Sequence, residues 1–278
     1  MNIAEFTVVV AGVSAVAGWL GALTGLGGGV VVTPVLVLLL GVDMRYAIGA
    51  TLISVIATSS GAAAAYVREG FTNIRIGMLL EIATVTGGVT GAALTARMST
   101  GSLSVIFGIA LLISAWLAAR PKQPQAIDTA GDPLAARLRL AGSFPGERGV
   151  QRYMVRRVPA GFGLMFGAGM ISGLLGIGSG AFKVLAMDRV MHIPFKVSTA
   201  TSNFMIGVTA AASAGIYWRR GFIEPGLSMP VVLGVLAGSL LGARMLPGTP
   251  VRVLRLVFAI VVGALALEMI YGGFTGRI

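Results

Sequence analysis

The sequence predicts an all-α, polytopic membrane protein built from two homologous halves, and three observations carry that reading. Of 278 residues, 56% are apolar and 11% charged, with a mean hydropathy of +0.90, whereas a water-soluble domain carries about 25% charge. Charge-free runs cover 6–42, 46–67, 98–119, 158–182 and 197–218, which suits helical spans of about 20 residues and not the alternating segments of about ten in a membrane barrel. Finally, three motifs recur in one register. Gly25-Leu-Gly-Gly-Gly29 returns as Gly176-Ile-Gly-Ser-Gly180, Tyr66-Val-Arg-Glu-Gly-Phe71 as Tyr217-Trp-Arg-Arg-Gly-Phe222, and Gly87-x-x-x-Gly91 as Gly238-x-x-x-Gly242, all at an offset of 151. Ala50-Thr51 matches Ala200-Thr201 at 150, so a one-residue indel falls inside that helix.

In chain order, the first half (1–119) has apolar segments at about 6–24, 30–42, 46–67, 75–96 and 101–119. The N-terminus carries Glu5 where a signal peptide needs basic residues, and 6–24 reads as a retained helix. Residues 120–158 mix proline, glycine and charge, with a short helix expected near 133–140. Eight of the 21 basic residues fall there against three acids. By the positive-inside rule this linker is expected on the cytoplasmic side of an inner (plasma) membrane. The second half (159–278) repeats the pattern at 160–175, 181–191, 197–217, 226–246 and 251–271. The second segment of each half is too short to cross and reads as a half-helix, for 8–10 membrane segments in all. If all five segments cross, the halves are inverted; if the first two count as one crossing, they are parallel. Basic residues outside the linker favour inversion by seven inside to five outside. Trp116, Tyr217 and Trp218 suit interfacial belts.

Several functions are excluded by composition. There is no cysteine, so thiolate zinc sites and iron–sulfur clusters have no ligands, and the single histidine, His192, leaves little for an imidazole-rich metal site or a serine triad. No catalytic residue, metal or cofactor is expected. The net charge of +11 is a topology signal first and contact with anionic lipid second; nucleic acid is not an expected partner. The loop GLGGG lacks the preceding strand and following acid of a dinucleotide site.

What remains is a small anion. A glycine cluster in the middle of a 37-residue charge-free run breaks a helix that would otherwise be about 55 Å long. Unwound backbone at that depth is tolerated where it lines a cavity, and the N–H groups of the following half-helix favour an anion. Paired broken segments in two repeats point to a transporter's substrate site, so Gly27, Gly28, Gly29, Gly178, Ser179 and Gly180 are candidates. The same glycines would also serve close helix packing, which already accounts for Gly87/Gly91 and Gly238/Gly242. Lys183, in the apolar stretch AFKVLAM, would strengthen an anion site, or else snorkel or pair with Asp188. The corresponding first-half position is Val32 or Thr33, so that charge is one-sided. Thr51, Thr201, Ser202 and Asn203 can donate to an oxyanion or tie helices together. Glu81 is a candidate proton-coupling carboxylate, or else an interfacial acid or the partner of an arginine.

The runs GLGGGVVVTPVLVLLLGV and AIGATLISVIATSS, with GLLGIGSGAFKVLAM and VSTATSNFMIGVTAAASAG in the second half, resemble the TauE/SafE sulfite exporter family over nearly the whole chain outside 120–158. The resemblance implies an inner-membrane permease for sulfite, sulfonates and related anions, working without a cofactor. Two departures are Ser179 for a glycine and Gly49-Ala50-Thr51-Leu52 for the commoner Gly-Thr-Ser. The expected partners are a small anion and the lipid bilayer; proton coupling and a homodimer are both compatible with the sequence. The expected activity is secondary transport, with export favoured, by alternating access about a central site. An anion channel or an accessory subunit without transport activity are the alternatives.

Overall fold

A computed structural model describes residues 2–24, 29–119, 132–146, 149–245 and 251–277. The first half holds α1 (Ile3–Thr24), α2 (Gly29–Leu40), α3 (Met44–Arg68), α4 (Ile74–Thr95) and α5 (Thr100–Ala119). The second holds α7 (Val158–Leu175), α8 (Gly180–Leu185) running into a π-helical turn (Ala186–Val190), α9 (Phe195–Arg219), α10 (Pro225–Met245) and α11 (Val251–Thr275). Each expected apolar segment is a helix, and the second of each half is short. Among the described residues Met44–Arg68, Ile74–Thr95 and Val158–Leu175 are long and apolar enough to cross a bilayer. Val8 is 71% exposed, Leu240 65% and Phe274 76%. In water each such side chain forgoes about 1.5–3 kcal/mol of burial, so these faces meet lipid.

Helices pair across the halves: α1 with α10, α4 with α7, α5 with α11 and α3 with α9. Glycine allows the closest of these approaches. A Cβ at Gly87 would collide with the Phe166 carbonyl, and one at Gly238 with the Ala15 carbonyl; Gly169 lies on the Thr84 carbonyl as Gly18 lies on that of Val235. Each contact maps onto the other on adding 151. Helix α9 runs antiparallel to α3, with Gly49 against Phe222 and Gly207 against Ser59. In the second half the short segment turns back: the Arg156 N–H donates to the Met191 carbonyl at 3.1 Å, and the Met191 side chain lies against Gly161. The chain that enters through α7 thus returns beside its own start.

The described part of the linker holds more regular structure than its composition suggests. It contains α6 (Pro133–Arg137) and a hairpin of β1 (Gly142–Gly146) and β2 (Gly149–Tyr153), paired antiparallel from Gly142 with Tyr153 to Gly146 with Gly149. Ala135, Leu140, Phe144, Tyr153 and Val155 form one apolar cluster with Ile76 and Leu80 of α4 and Val197 of α9. Asn73 fastens it. Its side-chain oxygen accepts from Ile76 N–H at 3.1 Å as the N-cap of α4, while Nδ2 donates to Tyr153 Oη at 2.7 Å and to the Leu140 carbonyl at 3.2 Å. Burial pushes the Tyr153 phenol up from its ordinary range, against the pull of that hydrogen bond. Sequence reading missed the hairpin because its strands, GSFPG and GVQRY, carry three glycines and a proline, and their inward side chains are too few to show a period.

At the far end of α4, Arg220 donates to the Ala92 and Ala93 carbonyls at 3.0 and 3.2 Å, satisfying orphan acceptors of the last turn. Trp116 and Trp218 are exposed, as interfacial residues would be, but Tyr217 is buried. Its hydroxyl bonds Thr95 Oγ1 at 3.0 Å and donates to the Leu174 carbonyl at 3.3 Å. It is a packing residue, held inside because both ends of its polar group are satisfied there.

Candidate substrate site

The second-half break is built by left-handed backbone. Helix α7 closes on Gly176 at φ +71°, whose N–H donates to the Ser172 carbonyl at 2.8 Å. Gly178 follows at φ +71° and Ser179 at φ +45°, and α8 begins at Gly180. Glycine adopts this region freely, whereas a serine held there costs on the order of 1 kcal/mol. Gly27 and Gly28 lie outside the described residues; Gly29 is the first residue of α2. A Cβ on Gly29 would sit 2.6 Å from Val55 Cγ2, 2.9 Å from Thr51 Cγ2 and 3.6 Å from the Gly176 carbonyl. Gly178 faces Ile206 and Val55, and Gly180 faces Ile206 and Ser202. The described edge of the first break therefore touches the second, between α3 and α9.

A small cavity opens at this meeting point, lined by Val30, Ser114, Ile177, Ser179, Gly180 and Ala181, with a volume of about 10 Å³. That is room for about one water, and an oxyanion of four heavy atoms would need the broken segments to move apart. The Ser179 hydroxyl lines it and has no hydrogen-bond partner among the described residues. Pro34 has no N–H to offer the Val30 carbonyl one turn earlier.

Lys183, one turn into α8, is fully buried and does not line the cavity. Its Nζ donates to Thr209 Oγ1 at 2.8 Å, and Thr209 Oγ1 donates to Glu81 Oε1 at 2.7 Å. Three helices from both halves meet in this chain: α8, α9 and α4. The Thr209 hydroxyl also lies 2.9 Å from the Met205 carbonyl, and with one proton it satisfies Glu81 or Met205 but not both well. Glu81 Oε2 has no partner among the described residues, although Glu81 is only 8% exposed. The hydrogen bond of Lys183 thus goes to Thr209 rather than to Asp188, which lies 3.8 Å from Arg189 Nε. Glu81 is buried, and no arginine among the described residues bonds it. Sequence reading overlooked Thr209, although Met205, Thr209 and Ser213 continue the buried face of Thr201 and Ser202 at helical spacing.

The remaining candidates are spread more widely. Thr51 Oγ1 bonds Thr33 Oγ1 at 2.8 Å and donates to the Ala47 carbonyl at 2.8 Å, beneath Gly29. Thr201 Oγ1 accepts from the Asn73 N–H at 3.1 Å, at the linker end of α9. Ser202 Oγ donates to the Gly180 carbonyl at 3.4 Å, a long bond, and Asn203 Nδ2 donates to the Thr199 carbonyl of its own helix at 3.0 Å. Gly178, Ser179, Gly180 and Ser202 are brought together at the break, whereas Thr201 and Asn203 are turned to other partners.

The family model for "Sulfite exporter TauE/SafE" matches residues 10–269. A probable membrane transporter protein of Bacillus subtilis, YunE, is 28% identical over 267 residues, covering 93% of this chain and 95% of its own. YdhB of the same organism, also named a probable membrane transporter protein, is 25% identical over 232 residues, covering 83% and 86%. The probable membrane transporter protein MamO of Paramagnetospirillum magneticum is 28% identical over 110 residues, 37% of this chain and 17% of its own. No solved structure matches the chain. The match over nearly the full length, on a helical bundle with paired short segments, places the chain in the TauE/SafE family of membrane transporters.

Proposed function

We propose that the protein is a secondary transporter for a small sulfur oxyanion, sulfite or a sulfonate, working as an exporter by alternating access about the paired breaks. The observation that carries this reading is the junction itself. Residues from both halves wall one cavity, a buried serine hydroxyl with no partner among the described residues faces it, and a buried ammonium sits one turn away on the same short helix. A cation in an apolar bundle costs about 2.5–3.5 kcal/mol on the insertion scale, so its retention beside unwound backbone favours an anionic ligand. The small volume of the cavity favours alternating access over a standing channel. The test is flux of labelled sulfite into proteoliposomes of the purified full chain. Saturable uptake above protein-free vesicles is expected, and labelled-sulfite flux no greater than in protein-free vesicles would overturn the assignment.

In this reading the protein lies in the inner membrane with residues 120–158 on the cytoplasmic side, supported by their excess of basic residues. Because the chain has no cysteine, Gln125→Cys offers one labelling site. Protection from an impermeant thiol reagent in intact cells is expected, and labelling without lysis would reverse the orientation.

A further inference from the structure

We propose that the substrate anion and a proton bind together around Lys183: when an oxyanion takes the ammonium, Glu81 gives up its share of that charge through Thr209 and takes up a proton. This deepens the transport reading above and rests on it. With Lys183 an ammonium and Glu81 a carboxylate the buried chain is neutral overall, the two joined through the Thr209 hydroxyl at 2.8 and 2.7 Å. Adding an anion would leave a net negative charge in a water-poor interior, which is costly. Protonating Glu81 restores neutrality.

The geometry offers the means for each half of the exchange. Glu81 Oε2 has no partner among the described residues, so a proton can add there while Oε1 keeps its bond from Thr209. Should that bond open, the Thr209 proton has the Met205 carbonyl 2.9 Å away. On the other side, two of the three N–H groups of Lys183 have no acceptor among the described residues. A helical side chain leans over the turn before its own Cα. For Lys183 that turn holds Ser179 and Gly180, which line the cavity. The step makes and breaks no covalent bond to the substrate. Lys183 exchanges its hydrogen bond to Thr209 for one to the oxyanion, and Glu81 gains one proton from the aqueous side.

Little else on the neighbouring elements competes for these charges. Helices α5 and α7 carry no titratable side chain between Thr100 and Ala119 or between Val158 and Leu175. On α9 the ionisable residues are Lys196, Tyr217 and Arg219, towards its ends; on α3, packed along α9, they are Arg45, Tyr46, Tyr66 and Arg68, also towards its ends; on α4, Arg75 lies in the first turn. The Asp188 and Arg189 side chains of the π-helical turn lie 3.8 Å apart, and Tyr153 of the linker bonds Asn73 at the start of α4.

The test separates coupled transport from exchange in proteoliposomes, with labelled sulfite as probe and protein-free vesicles subtracted. Wild type should accumulate sulfite under an imposed pH gradient and also exchange internal for external sulfite. Glu81→Gln should keep exchange and lose gradient-driven accumulation by about tenfold or more, a usual size for coupling between two ligands. Thr209 is a positioning residue, so Thr209→Ser should keep both activities, whereas Thr209→Val should keep exchange and flatten the pH profile of accumulation. This serine–valine pair carries the test if Glu81→Gln does not fold. Undiminished gradient-driven accumulation by Glu81→Gln, or equal accumulation by the serine and valine variants, overturns the inference. Absence of any sulfite exchange in wild type would instead overturn the transport reading.

Discussion

The two broken segments differ in one respect that matters chemically: the second is charged and the first is not. Lys183 reaches Thr209 and Glu81 across three helices, whereas the corresponding positions hold Val32 or Thr33, Thr58 or Ser59, and Val232. In the first half Thr33 instead pairs with Thr51 at 2.8 Å. Thr58 and Ser59 donate back to the carbonyls of Ser54 and Ile56 in their own helix, at 3.0 and 3.2 Å. Hydroxyls satisfied within one helix tie little to their neighbours and respond little to an arriving ion. A buried ion pair bridged by a single hydroxyl is costly to desolvate and easily biased by a third charge. The difference is that, among the described residues, the buried charge lies at the break where α4, α8 and α9 meet, while the facing segment offers hydroxyls alone.

The largest effect is expected where the two halves approach most closely. Gly87→Leu and Gly238→Leu each drive a side chain into a facing carbonyl, of Phe166 and Ala15 respectively. Both should forfeit folded protein in detergent, by similar amounts and beyond the roughly 1–3 kcal/mol of ordinary overpacking. Gly163→Leu, where nothing lies within 4 Å, should leave thermal stability almost unchanged. A large difference between Gly87→Leu and Gly238→Leu would show that the halves do not share their packing.

The next effect separates the charged break from the neutral one. Lys183→Met removes the ammonium and leaves Glu81 buried without its countercharge, a loss of about 3–5 kcal/mol when one partner of a buried pair goes. Sulfite affinity should fall in the order wild type, Lys183→Arg, Lys183→Met, because the guanidinium keeps the charge but not the shape. Binding by Lys183→Met as tight as wild type would remove the lysine from the site. Smallest of all, Thr51→Val in the neutral break breaks a hydroxyl pair and should cost about 1 kcal/mol of thermal stability, with sulfite binding unchanged.

By itself the sequence determined the class of protein, its segments and the location of its breaks. Composition and charge-free runs report directly on the solvent a helix meets, and positive-φ glycines such as Gly176 and Gly178 are visible as residue types before any fold is known. The short second segments were legible for the same reason, since length alone decides whether a helix can cross. Contacts between distant side chains came from packing alone. Lys183 and Glu81 lie about a hundred positions apart, and neither their spacing nor their surroundings in the sequence signals a shared partner. Thr209 looks like any other helix hydroxyl until α4 and α9 are packed. The linker hairpin, too, is held by Asn73 and by an apolar cluster drawn from distant elements. Local pattern sets periodicity and burial, but hydrogen bonds between helices depend on rotation and register, which are set by the sum of many packing contacts and by no single stretch of chain.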